Sequence, residues 1–135
     1  MGCAQCYHCV MKELLKELVV SLQAECGCVM LYDSNENLLN CAAEHNLPEN
    51  WKSLTNEPDE TSMSGLVYSS GESIVKNNLL LELHGHKVQS VLVVPIEKDM
   101  EIIGTIEIIN KKNGLFDSRD RSNAAEAANR ISDLI

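Results

Sequence analysis

Aromatic side chains are almost missing from this chain: one Phe, one Trp and three Tyr in 135 residues. A core with so few rings must be filled by Leu, Ile, Val and Met, and hydrophobic residues at 44% of the sequence are enough for one. Basic residues are also scarce, 11 Lys and Arg against 20 Asp and Glu, for a formal charge of −9. No basic stripe offsets that field, which argues against nucleic acid as a partner. No apolar run approaches the length of a membrane span, and no cationic segment precedes an apolar one at the N-terminus. The expectation is therefore a soluble, cytoplasmic protein of one domain. Catalytic motifs are absent as well: there is no G-x-S-x-G elbow, Walker loop, dinucleotide fingerprint or H-E-x-x-H.

What is there is organised around residues 87–120. Two runs rich in β-branched residues, VLVVPI and EIIGTIEII, are separated by Glu97, Lys98, Asp99 and Met100 and read as an antiparallel hairpin. Neither run alternates cleanly, so both faces are expected to be covered, which puts the hairpin at the centre of a sheet. Pro95 has no N–H to donate, so its strand is bulged there or loses a partner.

Taken in order, residues 1–10 form a lead-in with Cys3, Cys6, His8 and Cys9, and residues 11–135 form the domain. From Met11 the apolar positions Leu14, Leu15, Leu18, Val19 and Leu22 follow one helical face, with Gly27 the expected stop. Strands are expected over 28–33 and 38–44 around a polar turn, then a long loop over 46–61. A short helix over 62–70 takes Thr61 or Ser62 as its cap and ends at Gly71. A short strand over 73–75 leads to a connection, NNLLLELHGH, read as one or two helical turns with Leu79, Leu80 and Leu83 facing inward. Asp117, with Asp120 three residues on, caps the last helix, whose apolar face carries Ala124, Ala128, Ile131 and Leu134. An antiparallel sheet with helices on its faces buries all of these surfaces, which is α+β by class.

The ordered segments KVxSVLVVPI, EIIGTIEIINKK and FDxxD, preceded by SGLVYSSGESIVKNN, resemble the GAF domain, a small-molecule sensory and regulatory module, over residues 11–135. The resemblance implies a central antiparallel sheet of five or six strands, terminal helices packed on one face and a pocket of loops and a short helix on the other. It implies signal transduction without catalysis, through a small ligand, a helix-mediated homodimer or a signalling partner protein. For the dimer helices it points to Leu14, Leu18, Leu22, Ile131 and Leu134. For the pocket it points to Tyr32, Ser64, Leu66, Leu79, Leu83, Ser90, Thr105 and Glu107. Thr105 and Glu107 are polar residues midway along a central strand and need a partner or water, in a ligand cavity or at a wet subunit contact. Asn110, Lys111, Phe116 and Asp120 match a family signature found in cyclic-nucleotide-binding members and in others. Arg121 stands where relatives carry Glu, and Lys111 with Asp120 reads as a structural ion pair. One enzymatic branch reduces free methionine sulfoxide through loop cysteines, and here the loops 46–61 and 77–87 carry none.

No cofactor is required by the sequence. Cys26, Cys28 and Cys41 lie in or beside apolar strands and read as small reduced hydrophobes. Cys3, Cys6 and Cys9 recur every third residue, with His8 among them, so an iron–sulfur cluster or zinc there, serving redox or metal sensing, is the alternative function. A bare dimerisation scaffold with an empty pocket is the third. His84 and His86 read as solvated loop residues before a metal pair, and Met-Gly-Cys lacks the Ser or Thr at position six that myristoylation requires.

Overall fold

The computed structural model of the chain describes residues 7–135. Helix α1, Tyr7–Ser21, leads into strand β1, Ala24–Asp33, which turns back as β2, Leu38–His45. A single 3-10 turn, Glu49–Trp51, interrupts the following loop, and α2 spans Met63–Ser70. Then come β3, Ile74–Lys76; β4, Leu81–Leu83; β5, His86–Val88; β6, Val91–Lys98; β7, Glu101–Lys111; and α3, Ser118–Ser132. The main sheet has five strands in the order β2-β1-β7-β6-β3, and β4 with β5 forms a separate two-stranded hairpin. All pairings are antiparallel. The class is α+β, as expected.

The β6–β7 hairpin sits at the sheet centre because both of its faces are apolar. Leu92, Val94, Ile96, Ile106 and Ile108 join the core under α1 and α3, while Val91, Val93 and Ile109 join a second core on the opposite face. Strand β3 reaches only Val93, so Pro95 lies beyond it and its missing N–H costs no ladder bond. The bulge falls between Ile96 and Glu97. Asp99 and Met100 close the hairpin with φ of 52° and 69°, the left-handed pair that a two-residue turn of this twist demands.

Helix α1 stops sooner than the sequence suggests. It ends at Ser21, Gln23 takes φ of 56° at the turn, and its carbonyl accepts from the Lys112 N–H at 2.8 Å. Gly27 lies inside β1, where a Cβ would meet the Glu107 carbonyl oxygen at 2.9 Å and Val19 Cγ2 at 3.0 Å. Its role is close approach of helix and strand, not termination. The described part of α1, from Tyr7, also takes residues 7–10 of the lead-in into the helix. Helix α2 begins as expected, with Ser62 Oγ accepting from the Gly65 N–H at 2.9 Å and Gly71 at its C-cap. Helix α3 has the full capping box: Asp117 accepts from the Asp120 N–H and Asp120 from the Asp117 N–H.

The helix residues expected at a dimer interface pack inside the monomer. Leu14, Leu18, Leu22 and Ile131 are buried against the sheet, and Leu134 is partly buried at its margin. One sheet face is wide enough to absorb both stripes, and Leu14 and Leu18 also line a shallow groove between α1 and α3 with Ala127 and Arg130. The connection after β3 is corrected. It is the β4–β5 hairpin, with His84 and Gly85 at φ of 50° and 83° between the paired Leu83 and His86. Leu80 points to solvent, and Leu83 is 44% exposed.

Candidate functional site

Strand parity divides β1 and β7 between the two cores. Cys26, Cys28 and Met30 of β1 face away from the terminal helices, as do Thr105, Glu107 and Ile109 of β7. On that side the sheet, the 46–61 loop, α2 and the β4–β5 hairpin line an open cavity of about 470 Å³. Its walls are mainly apolar, with Cys28, Met30, Trp51, Val88, Val91 and Ile109 prominent.

The hairpin forms one wall of the cavity and is pinned by a few polar contacts. Trp51 Nε1 donates to the Leu83 carbonyl at 3.0 Å, and Asn50 Nδ2 donates to the His84 carbonyl at 2.9 Å. His86 packs edge-on against the Trp51 ring and lies 3.0 Å from Glu25 Oε1. Burial alone would raise the Glu25 carboxyl, but hydrogen bonds from Asn110 and His86 outweigh it and hold it below the usual carboxylate value. Leu79 N–H donates to the Gln89 carbonyl at 2.8 Å at the hairpin base.

Glu107 is the polar feature of the interior. Ser64, buried in α2, donates to Glu107 Oε2 and lies 2.9 Å from Thr105 Oγ1, which is also buried. Burial pushes the Glu107 carboxyl up, and the Ser64 hydroxyl only partly offsets it. Its other oxygen, Oε1, has no hydrogen-bond partner among the described residues. Thr105 and Glu107 thus turn toward α2 within the chain, and Glu107 lines the cavity.

Of the pocket residues expected from sequence, Leu83 and Glu107 line the cavity, while Ser64 and Thr105 stand behind Glu107. The others are elsewhere. Tyr32 stacks on Tyr68 with centroids 5.1 Å apart and donates to Asn37 Oδ1. Leu66 is exposed on the outer side of α2, and Leu79 packs beneath the hairpin base. Buried Ser90 accepts from the Lys111 N–H at 3.0 Å. The walls missed from sequence, Cys28, Met30, Val91 and Ile109, were marked by period-two spacing along strands already recognised. Trp51, the one tryptophan, stood out in its loop.

The signature residues are brought together away from the cavity, as a structural bracket. Lys111 Nζ meets Asp120 Oδ2 at 2.7 Å, with side chains 15% and 8% exposed, and lies 6.0 Å from the centre of the Phe116 ring. Asn77 holds the Phe116 backbone in both directions, at 3.1 and 3.0 Å. Asn110, at φ of 63°, accepts from the Gln89 and Ser90 N–H groups and donates to Glu25 and the Lys87 carbonyl. These residues tie the end of β7 to α3 and to the hairpin.

Cys3 and Cys6 lie outside the described residues. His8 and Cys9 are in α1. No cluster of His, Cys, Asp or Glu suited to a metal is found among the described residues, and no helix there is long and apolar enough to cross a membrane.

The fold is similar to the GAF domain of a phosphoenolpyruvate-protein phosphotransferase from Coxiella burnetii, at TM-score 0.82 and 18% identity over 95% of this chain and 81% of that one. The corresponding Acinetobacter domain gives 0.81 at 16% identity over the same shares, 95% and 81%. A type II free methionine-R-sulfoxide reductase from Thermoplasma acidophilum gives 0.76 at 15% identity, over 95% and 91%. At such identities the likeness establishes the fold alone. Comparison with curated proteins gives no match. The family model for the GAF domain matches residues 8–135, and with that span, the five-stranded sheet and the flanking helices in agreement, the chain belongs to the GAF domain family, whose members are generally sensory or regulatory.

Proposed function

We propose that this domain is a non-enzymatic sensor of the cytoplasm that takes a small, mostly apolar guest into the cavity beside the β4–β5 hairpin. The observation that carries this reading is the cavity itself: at about 470 Å³ it falls within the range of small-molecule sites. It is walled mainly by apolar side chains and bounded on one side by a hairpin held through a few polar contacts. Regulation would leave through that hairpin, through a homodimer or through a partner protein. The Cys28 thiol is pushed well up by its hydrogen bond with Cys41 and by burial, so it is a poor nucleophile, while Cys41, also in the lining, is lowered by that same bond. Anions fit badly, since no Lys or Arg lines the cavity. Native mass spectrometry of freshly purified protein tests the reading: a retained small molecule supports it. Titration calorimetry with cyclic AMP and cyclic GMP is expected to show no saturable heat at low micromolar concentration. Saturable heat lost in Ser64→Ala would reverse that exclusion.

A further inference from the structure

The geometry points to an organic cation as the guest: a small amine whose apolar body fills the cavity and whose ammonium group donates to Glu107 Oε1. This inference rests on the reading of the cavity as a ligand site and gives that ligand its charge. Glu107 and Glu82 are the charged residues of the lining, which contains no Lys, Arg or His. Glu82 belongs to the exposed hairpin and stands opposite Lys87 in the β4–β5 pairing, where its charge has a neighbour of opposite sign. Glu107 has no such neighbour. The hydroxyl chain from Thr105 through Ser64 ends on its Oε2, and no described residue donates to Oε1 of this cavity-lining side chain.

A carboxylate placed among Cys28, Met30, Val91 and Ile109 is costly without a counter-charge. Burial already drives its carboxyl upward. An ammonium group supplies both the missing donor and the missing charge, and charge-assisted hydrogen bonds of this kind are the strong ones. Trp51 offers an aromatic wall at the same site, which suits a cation and its apolar body. The formal charge of −9 draws cations toward the protein as a whole.

The test is calorimetric titration of the intact chain with three probes of nearly equal shape: 2-phenylethylamine, 2-phenylethanol and phenylacetate. The amine is expected to bind at least about tenfold more tightly than the alcohol, and phenylacetate least well. Glu107→Gln keeps an acceptor for Ser64 but loses the charge. It should abolish the amine preference while leaving the alcohol's affinity within about twofold. Glu82→Gln should leave the preference in place. Equal binding of amine and alcohol overturns the cation inference and leaves the cavity reading standing. An amine preference that survives Glu107→Gln overturns it too, assigning the effect to the chain's overall charge. Failure of every probe, the alcohol included, up to millimolar concentration removes the cavity reading along with it.

Discussion

Lys111→Met isolates the bracket at the start of α3. The substitution keeps the length of the side chain and its packing beside Phe116, and removes the charge that sits 2.7 Å from Asp120 Oδ2. At an effective dielectric constant near 20, the gross attraction at that separation is about 6 kcal/mol, much of it already spent on desolvating both groups. The loss on breaking the pair is set by what remains around Asp120, which is 8% exposed and keeps the Asp117 N–H as a donor. Removing one partner of a buried pair costs about 3–5 kcal/mol, and the residual N–H places this case near the lower end, about 3 kcal/mol. That corresponds to a fall of roughly 10 °C in Tm for a chain of this size. Urea denaturation followed by circular dichroism should show the midpoint falling with the m-value unchanged. Lys111→Met combined with Asp120→Asn leaves no bare charge and should recover at least about 1 kcal/mol relative to additivity. A single-variant loss below about 1 kcal/mol, or strict additivity, would refute the view that these residues act as one buried unit. Loss of ligand binding with stability intact would make the signature a ligand contact instead.

Glu107 gives a pH signature of known sign. Its carboxyl is raised in the folded state by burial, so the native protein binds that proton more tightly than the unfolded chain does. Its stabilising contribution is complete below the ordinary value of 4.5 and is lost as pH climbs through the raised native value. Urea midpoints for the parent and Glu107→Gln should therefore diverge in that window and then run parallel; a constant difference from pH 4 to 8 would contradict it. Among the strand cysteines, burial pushes Cys26 up to about 12, Cys28 is raised, and the hydrogen bond from Cys28 lowers Cys41. Iodoacetamide at pH 8.5 should therefore modify Cys41 at least about tenfold faster than the other two, as read by peptide mass spectrometry; equal rates would contradict the order. Asn110→Ala should cost about 2–4 kcal/mol in urea denaturation, since it removes several hydrogen bonds and leaves a Cβ residue at φ of 63°. Replacing Asp99-Met100 with Asn-Gly should raise stability by about 0.5–1 kcal/mol, because both positions take positive φ and Met100 is exposed.

The scaffold was legible where one local force ruled. β-branched runs identified β6 and β7, and polar caps with known chemistry marked the starts of α2 and α3. The hairpin wall was not legible, because NNLLLELHGH has leucine spacing that suits a helix as well as a strand. Its deciding signal was His84-Gly85, a two-residue turn with both residues at positive φ, and that turn makes a hairpin. A dimer face is not legible for a different reason: hydrophobic periodicity reports that a helix face is buried, not whether its own chain or a second copy buries it. Loops supply part of the pocket wall, and the inward face of the main sheet supplies Cys28, Met30, Cys41, Val91, Glu107 and Ile109. Glu107 announced itself by being polar where its neighbours are Ile, and Leu83 reads as facing inward.

The contact between Trp51 and Leu83 gives the domain an optical readout of its own. The chain has one tryptophan, and its indole nitrogen is fastened to the hairpin that forms one wall of the cavity. Trp51 as a whole is 5% exposed. Lifting the hairpin would break the bond and wet the ring, shifting emission to longer wavelength, while a guest seated against the indole would change its quantum yield with the hairpin down. Opening and occupancy therefore leave separable spectral marks on one native fluorophore, with no second indole to blur them, and the timing of entry can be followed in solution without a label.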